Sequence, residues 1–241
     1  MVGTTTPDMF FPSTACLVQD KIGAGAAWGF DLGAACSGFT YALTTAVQMV
    51  ATGAHEHVLA IGADVMSRII DYEDRTTCVI FGDGAGAVVM SPAVDPELSI
   101  IDFVHEVDGS GGQALRMPAG GSRLPASHET IDQRLHYVHQ DGAAVFKFAV
   151  RKTSEISRRI LERNQLQPTD VDLFVSHQAN RRIIKGAADQ LGPGQFQATV
   201  VPVALAGLDQ DLVLHAGGVG QLLDLGVVIA GHAGGGGQGQ C

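Results

Sequence analysis

The chain has 241 residues, 46% hydrophobic and 17% charged, with a formal net charge of −10. Such a balance suits one large globular domain or two small ones, and the acidic surplus argues against general nucleic-acid binding, which needs a basic face. Cys16, Cys36, Cys78 and Cys241 lie far apart with no CxxC pair, against a metal site or disulfide framework; with no signal-peptide pattern and no long apolar run, the expected setting is soluble, reducing and cytoplasmic, off the membrane.

TACLVQDKIGA reads as a helix with Ala15, Val18 and Ile22 on one face and Gly23 as its stop. WGFDLGAA reads as a buried strand. SGFTYALTTAVQMVATGA then reads as a helix with an apolar stripe of Phe39, Leu43, Ala46, Val47 and Val50, capped near Gly53. HVLAIGADV, almost wholly apolar, suits a strand covered on both faces. CVIFGDGAGAVVMSP suggests two short strand pieces around a glycine bend. Its GDGAG does not make a phosphate loop, because AVVM continues as strand where such a loop should open a helix.

The next stretch is more polar: a strand in LSIIDFVHEV, then a loop rich in Gly, Pro, Ser and Arg, long enough to be functional. A long helix is expected over about Val145 to Asn164, with Phe146, Val150, Thr153, Ile156, Ile160 and Leu161 buried. VDLFVSHQAN then ends an apolar strand at His177, before the helix RRIIKGAADQLG.

Two junctions thus share a layout: DLGAAC before SGFTYAL, and DLFVSH before QANRRII. Each delivers a reactive side chain from a strand end to a helix start, where sites gather in open α/β sheets. A thiol there meets unsatisfied N–H groups and the positive helix end, which favour the thiolate. A neutral imidazole can donate to a carbonyl oxygen or move a proton. Cys36 and His177 are therefore the candidate pair, with Cys16 and Cys78 read as core and the other histidines as solvated or structural. The pair alone fits a cysteine hydrolase or an acyl-transferring condensing enzyme.

TTTPDMFFPSTAC, DLGAACSGFTYAL, DRTTCVIFGDGAGAVV, VFKFAV and SHQANRRII, in this order, closely resemble the β-ketoacyl-acyl-carrier-protein synthase III family of the thiolase superfamily, from about Val2 to Gly192. The resemblance implies a thiolase-like α/β fold of two pseudo-symmetric halves with mixed sheets and buried helices. It also implies decarboxylative Claisen condensation of an acyl-CoA primer with malonyl-acyl-carrier protein, initiating fatty-acid synthesis without metal or redox cofactor, acyl-CoA being a substrate. Cys36 would carry the acyl group and lend its N–H to an oxyanion hole, and His177 would stabilise the thioester enolate. Phe11 matches a residue lent to the other subunit of a homodimer, and Arg75 one that contacts the CoA adenine. Gly142 and Phe146 match the lining of the CoA channel, and Arg182 a carrier-protein docking position. Arg181 and Lys185, together with Arg151, Lys152, Arg158, Arg159 and Arg163 on the long helix, would complete a basic patch for an acidic carrier protein.

The chain departs from the family at both ends. The family has a strand, a helix and a CoA-contacting loop ahead of the TTTPD segment, so the first half, residues 1–92, is expected to be incomplete, leaving poor solubility or dependence on dimerisation. The second half, residues 93–241, carries an atypical tail over 193–241. Where the family has a third catalytic residue, an Asn, this chain reads QATVVPVALAGLDQDLV, and no Asn follows Asn180. In DLVLHAGGVGQLLDLGVVIAG, Gly217, Gly218 and Gly220 are candidates for the glycine turn of the oxyanion hole, Gly218 foremost, and HAGGGGQGQC reads as low-complexity disorder. The rival readings are a related synthase of secondary metabolism and a catalytically impaired fragment.

Overall fold

A computed structural model of the protein describes residues 1–94, 99–171, 173–192, 197–198, 213–216 and 224–231, the last three stretches as backbone strands. In chain order the elements are β1 (Val2–Gly3), α1 (Thr14–Lys21), β2 (Asp31–Leu32), α2 (Gly38–Ala51), β3 (Val58–Val65), β4 (Asp83–Met90), β5 (Ser99–Val107), β6 (Leu115–Arg116), α3 (His128–Asp132), β7 (His139–Gln140), α4 (Gly142–Arg163), β8 (Leu173–Ser176), α5 (Arg181–Leu191), β9 (Gln197–Ala198), β10 (Val213–Ala216) and β11 (Asp224–Gly231).

Two mixed sheets result. The first runs β2-β1-β3-β4 and the second β5-β11-β10-β8-β9. In the first, β2, β1 and β3 are parallel and β4 is antiparallel to β3. The second repeats that arrangement as β9, β8, β10 and β11, and adds β5 antiparallel to β11. The sheets are therefore two copies of one topology, as a thiolase-like fold requires.

Helix α2 lies between them. Gly62 of β3 supports Phe39 from one side, and β5 reaches α2 from the other, His105 bonding Thr44 at 2.9 Å and meeting the Tyr41 ring edge-on at 4.6 Å. This explains a departure from expectation. Of the expected stripe Phe39, Leu43, Ala46, Val47 and Val50, only Ala46 is fully buried, alongside Gly38, Thr40 and Ala42. A helix covered on both sides has no solvent face to define a stripe, and close sheet contact favours small residues. Residues of β5 alternate accordingly: Phe103 and His105 face α2, while Asp102, Val104 and Glu106 face α4.

Other elements begin and end where local chemistry dictates. Asp141 accepts from the N–H groups of Ala143 and Ala144 and starts α4 three residues before the expected Val145. Ser13 caps α1, and Gly23 beyond its end has φ +71°, a conformation that suits glycine. The core of the second half gathers Val104, Phe148, Ile156, Ile160, Leu161 and Phe174. Phe146 and Val150 are not fully buried, and Phe146 is 38% exposed. The expected strand in WGFDLGAA shortens to Asp31–Leu32, and CVIFGDGAGAVVMSP forms one strand, its first part being turns held by Asp74. GDGAG runs into that strand, consistent with the rejected phosphate loop. The tail HAGGGGQGQC and the region where the family's Asn belongs lie outside the described residues.

Candidate active site

Cys36 occupies the turn Ala35–Ser37 between β2 and α2. The turn is tight because Ala35 adopts φ +44°, a left-handed conformation costing an L-residue roughly 1–2 kcal/mol. Such strain persists only where the surroundings impose it, and Gly3 and Gly38 show how. A Cβ at Gly3 would stand 2.3 Å from the Gly38 carbonyl carbon, so the first turn of α2 presses directly on the end of β1.

His177 directly follows β8. Gln178 donates to the Ser176 carbonyl oxygen at 2.8 Å, and Asn180 caps α5 by accepting from the Arg182 N–H at 2.8 Å. The two polar neighbours thus shape the turn that presents the imidazole.

Both reactive groups lie within the field of one carboxylate, that of Asp64 at the end of β3. Burial, then Asp64, then the residue's own backbone N–H act on the Cys36 thiol. The first two outweigh the last and push it up to about 12. This reverses the expectation that a helix start would depress it: removing the sulfur from water costs the thiolate more than nearby N–H groups return. For His177, burial lowers the imidazole to about 4, with Asp64 opposing. At neutral pH the site therefore holds a protonated thiol and a neutral imidazole, the form in which one ring nitrogen donates and the other accepts.

Arg75 is exposed on the loop after β3. Asp74 organises that loop by accepting from Thr76 and Thr77, and Arg134 grips Asp71 beside it, holding its carboxyl down at about 2. The Val138 N–H donates to the Ile69 carbonyl oxygen at 2.9 Å, drawing the start of α4 toward the same loop. Gly142 and Phe146 sit there one turn apart on the exposed side of α4. Phe11 is 84% exposed on the loop before α1. Arg182 is exposed at the start of α5.

The broader basic patch does not form as expected. Lys152 and Arg159 pair with Glu106, Arg163 with Asp102, Arg151 with Glu155 and Lys185 with Asp189, while Arg158 donates to the Gln190 carbonyl oxygen. Acidic groups of β5 and the helices themselves take these cations; Arg181 and Arg182 have no ion pair among the described residues. Gly218 lies outside the described residues. An apolar cavity of about 450 Å³ lined by Met1, Trp28, Phe30 and Met49 contains neither Cys36 nor His177. Among the described residues no cluster of His, Cys, Asp or Glu could hold a metal, and no helix is long and apolar enough to cross a membrane.

Two like sheets, a buried helix between them and a thiol at that helix's start define a thiolase-like protein, and comparison with known proteins narrows the class. A family model for 3-oxoacyl-[acyl-carrier-protein (ACP)] synthase III matches residues 30–109, and its C-terminal counterpart matches residues 161–217. A β-ketoacyl-[acyl-carrier-protein] synthase III of Solibacter usitatus is 63% identical over 191 residues, 78% of this chain and 58% of that protein. One from Chlorobium chlorochromatii is 50% identical over 230 residues, covering 90% of this chain and 70% of that protein. The crystal structure of the Thermus thermophilus synthase III superposes with a TM-score of 0.81 at 36% identity, covering 97% of this chain and 76% of that one. The chain belongs to the β-ketoacyl-[acyl-carrier-protein] synthase III family, and it spans 58% of the length of its Solibacter relative.

Sequence reasoning overlooked Asp64 and the strained Ala35. Asp64 had a readable signal, a lone charge closing an apolar strand at the end where sites gather. Ala35 had none, because nothing in an alanine announces a left-handed backbone.

Proposed function

We propose that the chain acts as an acyltransferase of the synthase III type, initiating fatty-acid synthesis. The Cys36 sulfur attacks the thioester carbonyl of an acyl-CoA primer, CoA leaves as its thiol, and a new thioester forms on Cys36. Malonyl-acyl-carrier protein then loses carbon dioxide. The carbanion left behind attacks the Cys36 thioester carbonyl, expelling the sulfur as a thiolate that takes a proton from water, and yielding β-ketoacyl-acyl-carrier protein. The observation carrying this reading is that Cys36 and His177, from different sheets, share the field of Asp64 in a chain of this family.

Neutral His177 suits hydrogen bonding to the malonyl thioester oxygen as enolate character develops, and the Cys36 N–H suits the acyl oxyanion, with Gly218 as its proposed partner. Arg75, Gly142 and Phe146 would line the CoA path, Arg182 would meet the acidic carrier protein, and exposed Phe11 would enter the other subunit of a homodimer. The reading needs no cofactor and assigns the chain to the cytoplasm. The break between β4 and β5 supports halves at 1–92 and 93–241, the stretch 193–241 being an atypical tail.

The test is incubation with radiolabelled acyl-CoA, then with malonyl-acyl-carrier protein. Label retained on Cys36, absent in Cys36→Ala, followed by β-ketoacyl product, is expected. Absence of label from the Cys36 peptide would overturn the reading. Label without product would instead mark an impaired chain, the reading prompted by the sequence carrying no Asn after Asn180.

A further inference from the structure

The carboxylate of Asp64 holds more than its own strand. Its Oδ1 accepts from the Thr5 N–H at 2.7 Å, the Thr5 hydroxyl at 2.8 Å, and the hydroxyls of Thr4 and Thr6 at 3.3 Å each. Two further bonds close the turn: the Thr6 N–H donates to Thr4 Oγ1 at 3.1 Å, and the Val65 N–H to Thr6 Oγ1 at 2.7 Å. One carboxylate oxygen thus gathers three consecutive threonines and ties the exit of β1 to the exit of β3.

Register places this knot beside the thiol. Gly3 and Gly62 are direct partners across β1 and β3. Both touch the first turn of α2: a Cβ on Gly3 would collide with the Gly38 backbone, and one on Gly62 would lie 2.8 Å from the Phe39 Cβ. Side chains two residues apart on a strand share a face, so Asp64, two beyond Gly62, looks toward the helix start that carries Cys36. The ionisation of both Cys36 and His177 responds to its charge.

We infer that Asp64 is a positioning residue of the Cys36 centre: it anchors the Thr4–Thr6 turn against the start of α2 and fixes one negative charge beside both thiol and imidazole. The inference rests on the proposed pairing of Cys36 with His177. The charge favours the protonated form of both partners. It holds the proton on the sulfur while the site is empty and supports a proton on His177 if one arrives. Moving a proton from sulfur to ring therefore changes its net effect little, whereas an idle thiolate is suppressed. Once the sulfur is acylated, only the effect on His177 persists.

Among the described residues, other charges around Cys36 are few. The strand β1 and helix α2 carry no charged side chain, and β3 carries Asp64 alone. Asp31 of β2 is occupied by the N–H groups of Thr14 and Ala15 at 2.7 and 2.8 Å. Beyond His177, the strand packed against the Cys36 turn is β11, which begins with Asp224.

The test is the pH profile of iodoacetamide labelling at the Cys36 peptide, read by mass spectrometry with exposed Cys16 as internal reference. In the unsubstituted chain, Cys36 should label with a midpoint above that of Cys16. Asp64→Asn retains an acceptor for the threonines and removes the charge. It should shift the Cys36 midpoint to lower pH and speed labelling at pH 8 by about three- to tenfold, tenfold being one pKa unit, without moving Cys16. A folded Asp64→Asn chain with an unchanged Cys36 profile would overturn the inference. So would a Cys36 midpoint at or below that of Cys16 in the unsubstituted chain, a result that needs no variant. Because alkylation requires no acyl donor, failure of the proposed activity would not disturb either outcome.

Discussion

The two sheets share order and strand direction, yet they are covered differently. In the second, β5 closes the outer side of β11, α2 lies on one face and α4 on the other. In the first, β4 is the outermost strand among the described residues and is exposed along its length until Met90. The proposed chemistry nevertheless draws on both, because Cys36 follows β2 at the parallel edge of the first sheet and His177 follows β8, next to the parallel edge of the second. The same comparison corrects the sequence echo between DLGAAC and DLFVSH. By strand order β8 corresponds to β1, and β2 to β9. In the first half, the place of His177 is therefore taken by the threonine turn that Asp64 clamps.

The sharpest break of this comparison is chemical. Cys36→Ala should abolish acyl transfer, at least about a thousandfold. His177→Ala should leave acyl labelling and slow condensation by about a hundredfold. Equal loss of labelling in both would deny the two halves separate roles.

Packing comes next. Phe174 of β8 is fully buried, so Phe174→Ala should cost about 3–5 kcal/mol. Val89 of β4 is 64% exposed, so Val89→Ala should stay within about 0.5 kcal/mol. Urea denaturation followed by circular dichroism compares them, and similar losses would mean that β4 is covered in solution. Within the first half, Gly3→Ala forces β1 from α2 and should cost about 1–3 kcal/mol. Gly84→Ala meets open space and should be near neutral.

Docking is a smaller effect. Arg182→Glu should raise KM for malonyl-acyl-carrier protein about tenfold and spare loading from acyl-CoA. Equal damage to both steps would remove Arg182 from the docking face.

The mildest test is pH. His177 is lowered to about 4 against an ordinary value near 6.5. Between those values the unfolded chain binds the extra proton, so stability falls as pH drops through that window. Cys36 is raised to about 12 against about 8.5 for a free thiol. The unfolded chain releases that proton first, so stability falls as pH rises above about 8.5. Thermal melts should peak between these arms, and Cys36→Ala should flatten the alkaline one.

Much of this was legible in sequence. Gly23 and Gly53 marked helix ends through backbone freedom, which is local. The strand-to-helix junctions at Cys36 and His177 followed from pattern. The stripe of α2 did not, because a helix enclosed by two sheets loses its amphipathic signal. The basic patch was misjudged for a related reason: Glu106 and Asp102, 46 to 61 residues before their partners in the chain, lie against α4 only once β5 has paired.

The amino-acid order alone determined where helices and strands alternate and which thiol and imidazole stand at their junctions, since capping, periodicity and glycine freedom act over a few residues. Only the tertiary structure decided that burial raises the Cys36 thiol, that Asp64 gathers the turn Thr4–Thr6 and that most of the basic residues of α4 are already paired. Burial and charge pairing depend on which distant segments become neighbours, and the assembly of the sheets fixes that.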